Sequence, residues 1–276
     1  MKMIFCPLAS GSAGNCTYVS FGGTRLLIDA GISAARICAA LRQLGLTPAD
    51  LDGILITHEH VDHIRGIPVF TRKYGVPVYA NTGTWMGILR KDADIPMEKR
   101  YAFETGMDFY IGDINVMPFA IPHDANDPVG YMLRCRGLAA AVATDIGHLN
   151  EEWMGKIAGA QAVLLEANYN EEMLRNGPYP YQLKQRILSR RGHLPNEDCA
   201  RALIRLYASG TQAAFLGHLS GENNTPEVAY ETVCGMLREV GIRPDSDIMV
   251  NVARREQVSD MVVLEAPEEQ RKRVFF

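Results

Sequence analysis

The sequence predicts an α+β protein built as a four-layer αββα sandwich, with two mixed β-sheets packed together and helices on the outer faces. Three observations lead there. Both halves of the chain run from strand-like segments into helical ones, which suggests two packed sheets with helices outside. The strand-like segments are short β-rich runs set off by turn residues. Neither a repeat of fixed period nor a linker interrupts the chain, so one domain over residues 1–276 is expected.

In chain order, "MIFC" (3–6), "CTYVSF" (16–21) and "TRLLIDAG" (24–31) read as strands, with Gly22-Gly23 as the turn joining the last two. "SAARICAALRQLG" (33–45) reads as a helix: Ser33 is a good N-cap, Ile37, Leu41 and Leu44 form one apolar stripe, and Gly45 closes it. "GILIT" (53–57) is a buried strand, "HIRGIPVFTRKYG" (63–75) a helix, and "VPVYA" (76–80) the next strand. Strands return at 113–121, 129–135, 138–145 and 161–167. Helical patterns follow at 180–191 and 195–209, then the strand "QAAFLGH" (212–218). The helix 225–241 carries Pro226 at a first helical position, where its missing N–H costs nothing, and "DIMVNV" (247–252) is a strand. The charged end "EAPEEQRKRVFF" (265–276) reads as a solvated tail.

Composition narrows the class. With 47% hydrophobic and 22% charged residues the chain is an ordinary globular protein. A net charge of −4 gives no overall pull toward nucleic acid, so binding of that kind must use a local patch. The six cysteines are scattered without a C-x-x-C pair, which fits reduced thiols in a cytoplasmic protein. "MKMIFCPLA" is too short in its apolar part for a signal peptide, and no window approaches a membrane span, so no membrane partner is expected.

The chemistry concentrates in "GILITHEHVDHIRG" (53–66). Of the seven histidines in the chain, three fall within six residues behind an apolar strand. His58 and His60 are two apart, so in extended chain both imidazoles point to one side, while Asp62 and His63 face a second point as the chain turns. One loop can therefore serve two cations. His123, Asp145 and His218 each stand where another apolar strand runs out, a pattern that core packing does not explain.

"THEHVDH" resembles the H-x-H-x-D-H signature of the metallo-β-lactamase fold, and Asp29, His123, Asp145 and His218 follow its remaining motifs in order. The resemblance implies two divalent metal ions, zinc first, with manganese or iron also suited. His58, His60 and His123 would hold one; Asp62, His63 and His218 would hold the other, with Asp145 bridging and Asp29 orienting the ligands from behind. Asp62 would also orient the attacking water. A turn aspartate before Gly31 is the plainer reading of Asp29. In flavodiiron proteins of the same fold a glutamate stands at the place of His60; two imidazoles there point to a hydrolase. Paired cations stabilise both attacking and leaving oxygens of an in-line displacement, which suits phosphodiester cleavage.

Two further stretches bear on the substrate. In "LASGSAGNCTYV" the run Ser10, Gly11, Ser12, Gly14, Asn15 could cradle a phosphate, although a tight turn explains it equally well. Together with "NGPYPYQLKQRILSRRGHL" and "GHLSGENNTPE", this run resembles the YycJ (WalJ) group of the fold, regarded as bacterial 5′-to-3′ DNA exonucleases. A DNA substrate follows from that resemblance, with RNA second. By similarity to ribonuclease Z, Glu166 and His193 would form a dyad that protonates the leaving oxygen. Tyr169 and Pro195 depart from the group's pattern, where histidine and serine are expected. Lys184, Arg186, Arg190 and Arg191 place four positive charges in eight residues beside Tyr179 and Tyr181, enough to track a phosphate backbone, or simply a solvated helix face. The rival function is a small-molecule hydrolase for a cyclic phosphodiester, thioester or lactam; a non-catalytic nucleic-acid binder is the second rival.

Overall fold

Two seven-stranded sheets, each half antiparallel and half parallel, organise the protein. The structure is a computed structural model and describes residues 1–92 and 94–266. In the first sheet β1 (Lys2–Ala9), β2 (Cys16–Phe21) and β3 (Thr24–Ile28) pair antiparallel. β4 (Gly53–Leu55), β5 (Val78–Asn81) and β6 (Arg100–Phe103) then add in parallel. In the second, β7 (Phe109–Ile111), β8 (Ile114–Ala120), β9 (Val129–Cys135) and β10 (Leu138–Ala143) form a meander. β11 (Ala162–Glu166), β12 (Ala213–Gly217) and β13 (Met249–Val252) continue it in parallel. β14 (Val262–Glu265) returns to the first sheet, antiparallel to β1.

The inner faces meet in one apolar layer: Phe5, Leu26 and Ile28 from the first sheet pack with Val142, Leu164 and Phe215 from the second. Phe5 and Phe215 rings lie 6.0 Å apart across the seam. The outer face of the first sheet is covered by α1 (Ala34–Gln43), α3 (Ile67–Tyr74) and α4 (Thr82–Lys91) through Ile37, Phe70 and Trp85. That of the second is covered by α5 (Glu151–Ile157), α8 (Asn196–Ala208) and α9 (Pro226–Glu239) through Trp153, Leu203 and Val233. The predicted four layers are therefore present. A small satellite of α6 (Glu171–Asn176) and α7 (Tyr181–Ile187) packs on Tyr169, Leu174 and Ile187.

The helix expected over 63–75 is two pieces, α2 (Val61–Ile64) and α3, broken at Gly66. Gly66 donates to Ala30 O at 2.7 Å, and Pro68 has no N–H for a continuous ladder. The helix expected over 180–191 stops at Ile187, because Ser189–Gly192 turn to bring His193 inward. α4, α5, α6, β6, β7 and β14 were not expected; α5 and α6 have seven and six residues, under two turns each and too few for a periodic signal, and β7 three residues. Glu265, expected at the start of a solvated tail, instead closes β14 and pairs with Lys2 at 2.7 Å; 267–276 of that expected tail lie outside the described residues. Pro195, expected inside the first turn of its helix, is instead its N-cap.

Candidate metal centre and dyad

Strands β3, β4, β8, β10, β11 and β12 all point the same way, so their carboxyl ends open onto one crevice, where an α/β sheet offers its ligands. Asp29, His58, His123, Asp145, Glu166 and His218 all come from those ends. Two inter-sheet hydrogen bonds close the sandwich beneath them: Tyr131 Oη donates to Ile56 O at 2.5 Å and Val129 N to Thr57 O at 3.0 Å. Asp29, Asp145 and His218 adopt the left-handed region, with φ of 61°, 60° and 54°. Such a conformation costs a non-glycine residue about 1–2 kcal/mol, so surrounding structure must hold it. It is held: Asp29 N donates to Leu55 O at 2.8 Å, and His218 N to Ser10 Oγ at 2.8 Å. Gly31 allows the metal loop to approach, because a Cβ there would lie 1.5 Å from Asp62 O.

Ligand atoms of His58, His60 and His123 fall within 4.8 Å of one another, as do those of Asp62, His63 and His218, and those of His58, His63 and Asp145. The last group joins the first two, which is where a bridging carboxylate belongs. Four rings have Nδ1 tied to an acceptor: His58 to Thr57 Oγ1 (3.0 Å), His63 to Asp29 Oδ2 (2.8 Å), His123 to Gly192 O (3.1 Å) and His218 to Glu166 Oε1 (3.0 Å). Each bond favours the tautomer that turns Nε2 toward the centre; at His63 that nitrogen also lies 3.1 Å from Asn15 Nδ2 and at His123 3.3 Å from His60 Nδ1. His58 Nε2, His218 Nε2 and Asp145 Oδ2 are buried with no hydrogen-bond partner among the described residues. Unpaired buried acceptors of this kind are costly, and divalent cations would satisfy all three. The donor set fits such ions.

Burial drives the pKa of His58, His60 and His123 below the usual imidazole value, which favours the neutral ring that binding a metal ion requires. Burial opposes charge on His63 too, but Asp29, Asp145 and Asp62 outweigh it and hold its pKa well above normal. His218 is likewise raised to about 10, burial being overcome chiefly by Asp145.

Glu166 is fully buried and accepts at both oxygens: His193 Nδ1 (2.8 Å) and His218 Nδ1 at Oε1, Ile146 N (2.5 Å) and Leu194 N (3.3 Å) at Oε2. The His193 ring stacks on His218 at 5.3 Å and lies tilted 5.2 Å from His123, so the expected dyad stands against the ligand clusters. Asp29 likewise does more than cap a turn: it binds Thr57 N, Thr57 Oγ1 and His63.

The substrate residues read from sequence need correction. Ser10, Gly11, Gly14 and Asn15 spend their donors internally: Ser10 Oγ on Asn15, Gly11 N on Asn15, Gly14 N on Gly11, and Asn15 Nδ2 on Gly11 O and His63 Nε2. They brace the metal loop, and Ser12 is the exposed member of the run. Among the basic residues Lys184 bonds Arg175 O and Arg190 bonds His148. Arg186 pairs through two nitrogens with Asp124, and Arg191 donates to His123 O at 3.0 Å, so these two sit at the rim of the centre. Sequence reasoning missed Asp124, whose Oδ1 lies 3.4 Å from His123 Nε2; adjacency to His123 was the available signal. It also missed Thr57 and Glu59; Glu59 anchors Asn126 N at 3.0 Å and thereby the His123 loop. Tyr169 is a buried packing residue of the α6–α7 satellite.

An αββα sandwich with imidazoles and carboxylates gathered at the carboxyl ends of its strands is a metallo-β-lactamase fold with a site for divalent metal ions. The chain belongs to the β-lactamase superfamily, whose domain it matches over residues 24–218. It is 40% identical over 245 residues to exodeoxyribonuclease WalJ of Streptococcus pneumoniae, covering 88% of this chain and 91% of that one. To exodeoxyribonuclease YycJ of Bacillus anthracis it is 42% identical over 241 residues, covering 87% and 91%. Among solved structures the metallo-β-lactamase fold protein YhfI from Bacillus subtilis superposes with a TM-score of 0.71 at 16% identity, covering 94% of this chain and 99% of that one. A likeness at that identity speaks to the fold.

Proposed function

We propose that the protein is a metal-dependent phosphodiesterase acting on nucleic acid, a 5′-to-3′ DNA exonuclease, with two divalent cations, zinc foremost. The observation that carries this reading is the Glu166–His193 dyad set directly against two ligand clusters that meet at Asp145. Near-full-length similarity to proteins named exodeoxyribonucleases supports the DNA substrate. His58, His60 and His123 would hold one ion, Asp62, His63 and His218 the other, and Asp145 would serve both. When bound, such a pair acidifies water toward neutrality and stabilises charge on the phosphorus oxygens.

The protein's own groups do the rest. Asp62 accepts a hydrogen bond from the attacking water and orients it. Glu166 holds the His193 ring by Nδ1, so a protonated His193 presents its Nε2 proton to the leaving oxygen. Glu166 stabilises that charged ring, and general-acid help of this kind contributes about 10²–10⁴-fold. Arg191 sets positive charge beside His123, where the strand would enter, while Arg186 stands there paired with Asp124. A cytoplasmic location belongs to the proposal on the strength of six buried free cysteines, which suit a reducing compartment; among the described residues no helix is long and apolar enough to cross a membrane.

Metal analysis of the purified protein, with product mapping on a 5′-phosphorylated, end-labelled duplex, tests the proposal. Metal-dependent release of mononucleotides from the 5′ end, abolished by His58→Ala and Asp145→Ala, is expected. Turnover of bis(p-nitrophenyl) phosphate without cleavage of DNA would reassign the site to a small phosphodiester.

A further inference from the structure

The glycine-rich loop that braces the metal ligands also carries an exposed tip, Ser12–Ala13, which none of the bracing uses. Among the described residues the Ser12 and Ala13 N–H groups and the Ser12 hydroxyl have no partner. Two arginines from distant parts of the chain flank this tip. Arg65, just after α2, reaches Ala13 O with Nη1 at 3.5 Å. Arg255, after β13, lies against Gly11, where a Cβ would stand 3.2 Å from its Cγ; it donates through Nη2 to Ser220 O. Its buried Nε has no partner among the described residues. Arg36 braces the arrangement from α1, donating to Arg255 O at 3.4 Å. No carboxylate lies within ion-pair distance of Arg36, Arg65 or Arg255 among the described residues, whereas Arg186 on the other rim is held by Asp124.

The position matters as much as the charge. The loop touches His63 through Asn15 (3.1 Å) and His218 through Ser10 (2.8 Å), so it borders the Asp62–His63–His218 cluster. Arg186 and Arg191 border His123, which belongs to the other cluster. Positive charge thus lies on both sides of the centre. A strand cleaved in between carries phosphates on both sides of the scissile one.

We propose that the Ser12–Ala13 tip with Arg65 and Arg255 is a second phosphate subsite, taking a backbone phosphate of the nucleic-acid strand that flanks the scissile phosphodiester. It rests on the nuclease reading above and adds to it a strand path: across the centre from the Arg186 rim to the Arg65–Arg255 rim. Free backbone N–H groups and a hydroxyl at a glycine-rich bend make a nest for an anion, and unpaired guanidinium groups neutralise it.

The test compares metal-loaded wild type, Arg65→Ala, Arg255→Lys and the double variant Arg65→Ala/Arg255→Ala. Substrates are a 5′-phosphorylated oligonucleotide and bis(p-nitrophenyl) phosphate, which has no flanking phosphate; oligonucleotide binding is followed by fluorescence anisotropy. Each alanine should raise KM for DNA about tenfold at moderate salt and flatten the logarithmic salt dependence by about one, as loss of one phosphate contact does. Turnover of the small ester should stay within about twofold, since no charge-assisted bond to it is lost. Arg255→Lys should fall between wild type and the double variant. Equal loss on both substrates would mean a bracing role and overturn the subsite. So would a double variant that binds and cleaves DNA as wild type does, which would leave the nuclease reading intact. A wild type that turns over only the ester, and does not bind the oligonucleotide, would overturn both.

Discussion

Replacing Glu166 by glutamine removes one oxygen from a buried group that accepts four donors. Two of these, Ile146 N and Leu194 N, are backbone and cannot invert, so the remaining amide oxygen turns to them. The new NH₂ then faces His193 Nδ1 and His218 Nδ1, at the places where 2.8 and 3.0 Å hydrogen bonds now run. Both rings must accept at Nδ1 and carry their proton on Nε2. For His218 that is the nitrogen which has no partner among the described residues and which a cation requires. Loss of such an orienting partner lowers metal affinity about 10–100-fold. Loss of the charge that supports a protonated His193 removes general-acid help of about 10²–10⁴-fold. Titration of metal into chelator-stripped protein separates the effects: one ion should bind as in wild type and the other weaken, while turnover falls further than metal occupancy accounts for. A Glu166→Gln protein that binds two ions normally and keeps turnover within about fivefold would refute the dual role of this carboxylate.

Other consequences are open to measurement. Gly31→Ala forces the chain away from Asp62 O and breaks the bonds of Gly31 N to Asn15 O and Asn15 N to Asp62 O. A loss of about 2–3 kcal/mol in denaturant unfolding is expected, at about 1 kcal/mol per bond plus strain; unchanged stability would contradict the close approach. In metal-stripped protein the His218 pKa of about 10 lies above the unfolded value of 6.5. Its stabilisation is therefore complete below pH 6.5 and lost as pH rises toward 10, whereas metal-loaded protein needs the neutral ring and gains as pH rises. Melting curves from pH 6 to 9 should slope in opposite directions with and without metal, and parallel slopes would count against the arrangement. Tyr169→Phe should leave turnover within about twofold, while Tyr169→Ala should cost about 3–5 kcal/mol locally, because its ring packs the α6–α7 satellite; limited proteolysis at 171–191 reads that loosening.

The metal ligands were legible because chemistry forces them into a dense local pattern: three histidines in six residues behind a buried strand, and single ligands at other strand ends. The αββα layering was legible for a related reason, since strands buried on both faces must be continuous and apolar. The elements that escaped, such as β7 and α6, are three and six residues long, and neighbours rather than local preference stabilise them.

What the sequence by itself determined is which residues can bind metal and which segments must be buried, because side-chain chemistry and hydrophobic periodicity are local properties. Only the tertiary structure decided how donors are spent. Ser10 and Asn15 looked like phosphate ligands and instead hold His218 and His63 in place. Asp124, unremarkable in the chain, faces the centre, and Arg65 and Arg255 flank one loop across 190 residues of sequence, 255 less 65. Hydrogen-bond and ion-pair partners so far apart are chosen by how the sheets pack, and no local pattern encodes that choice.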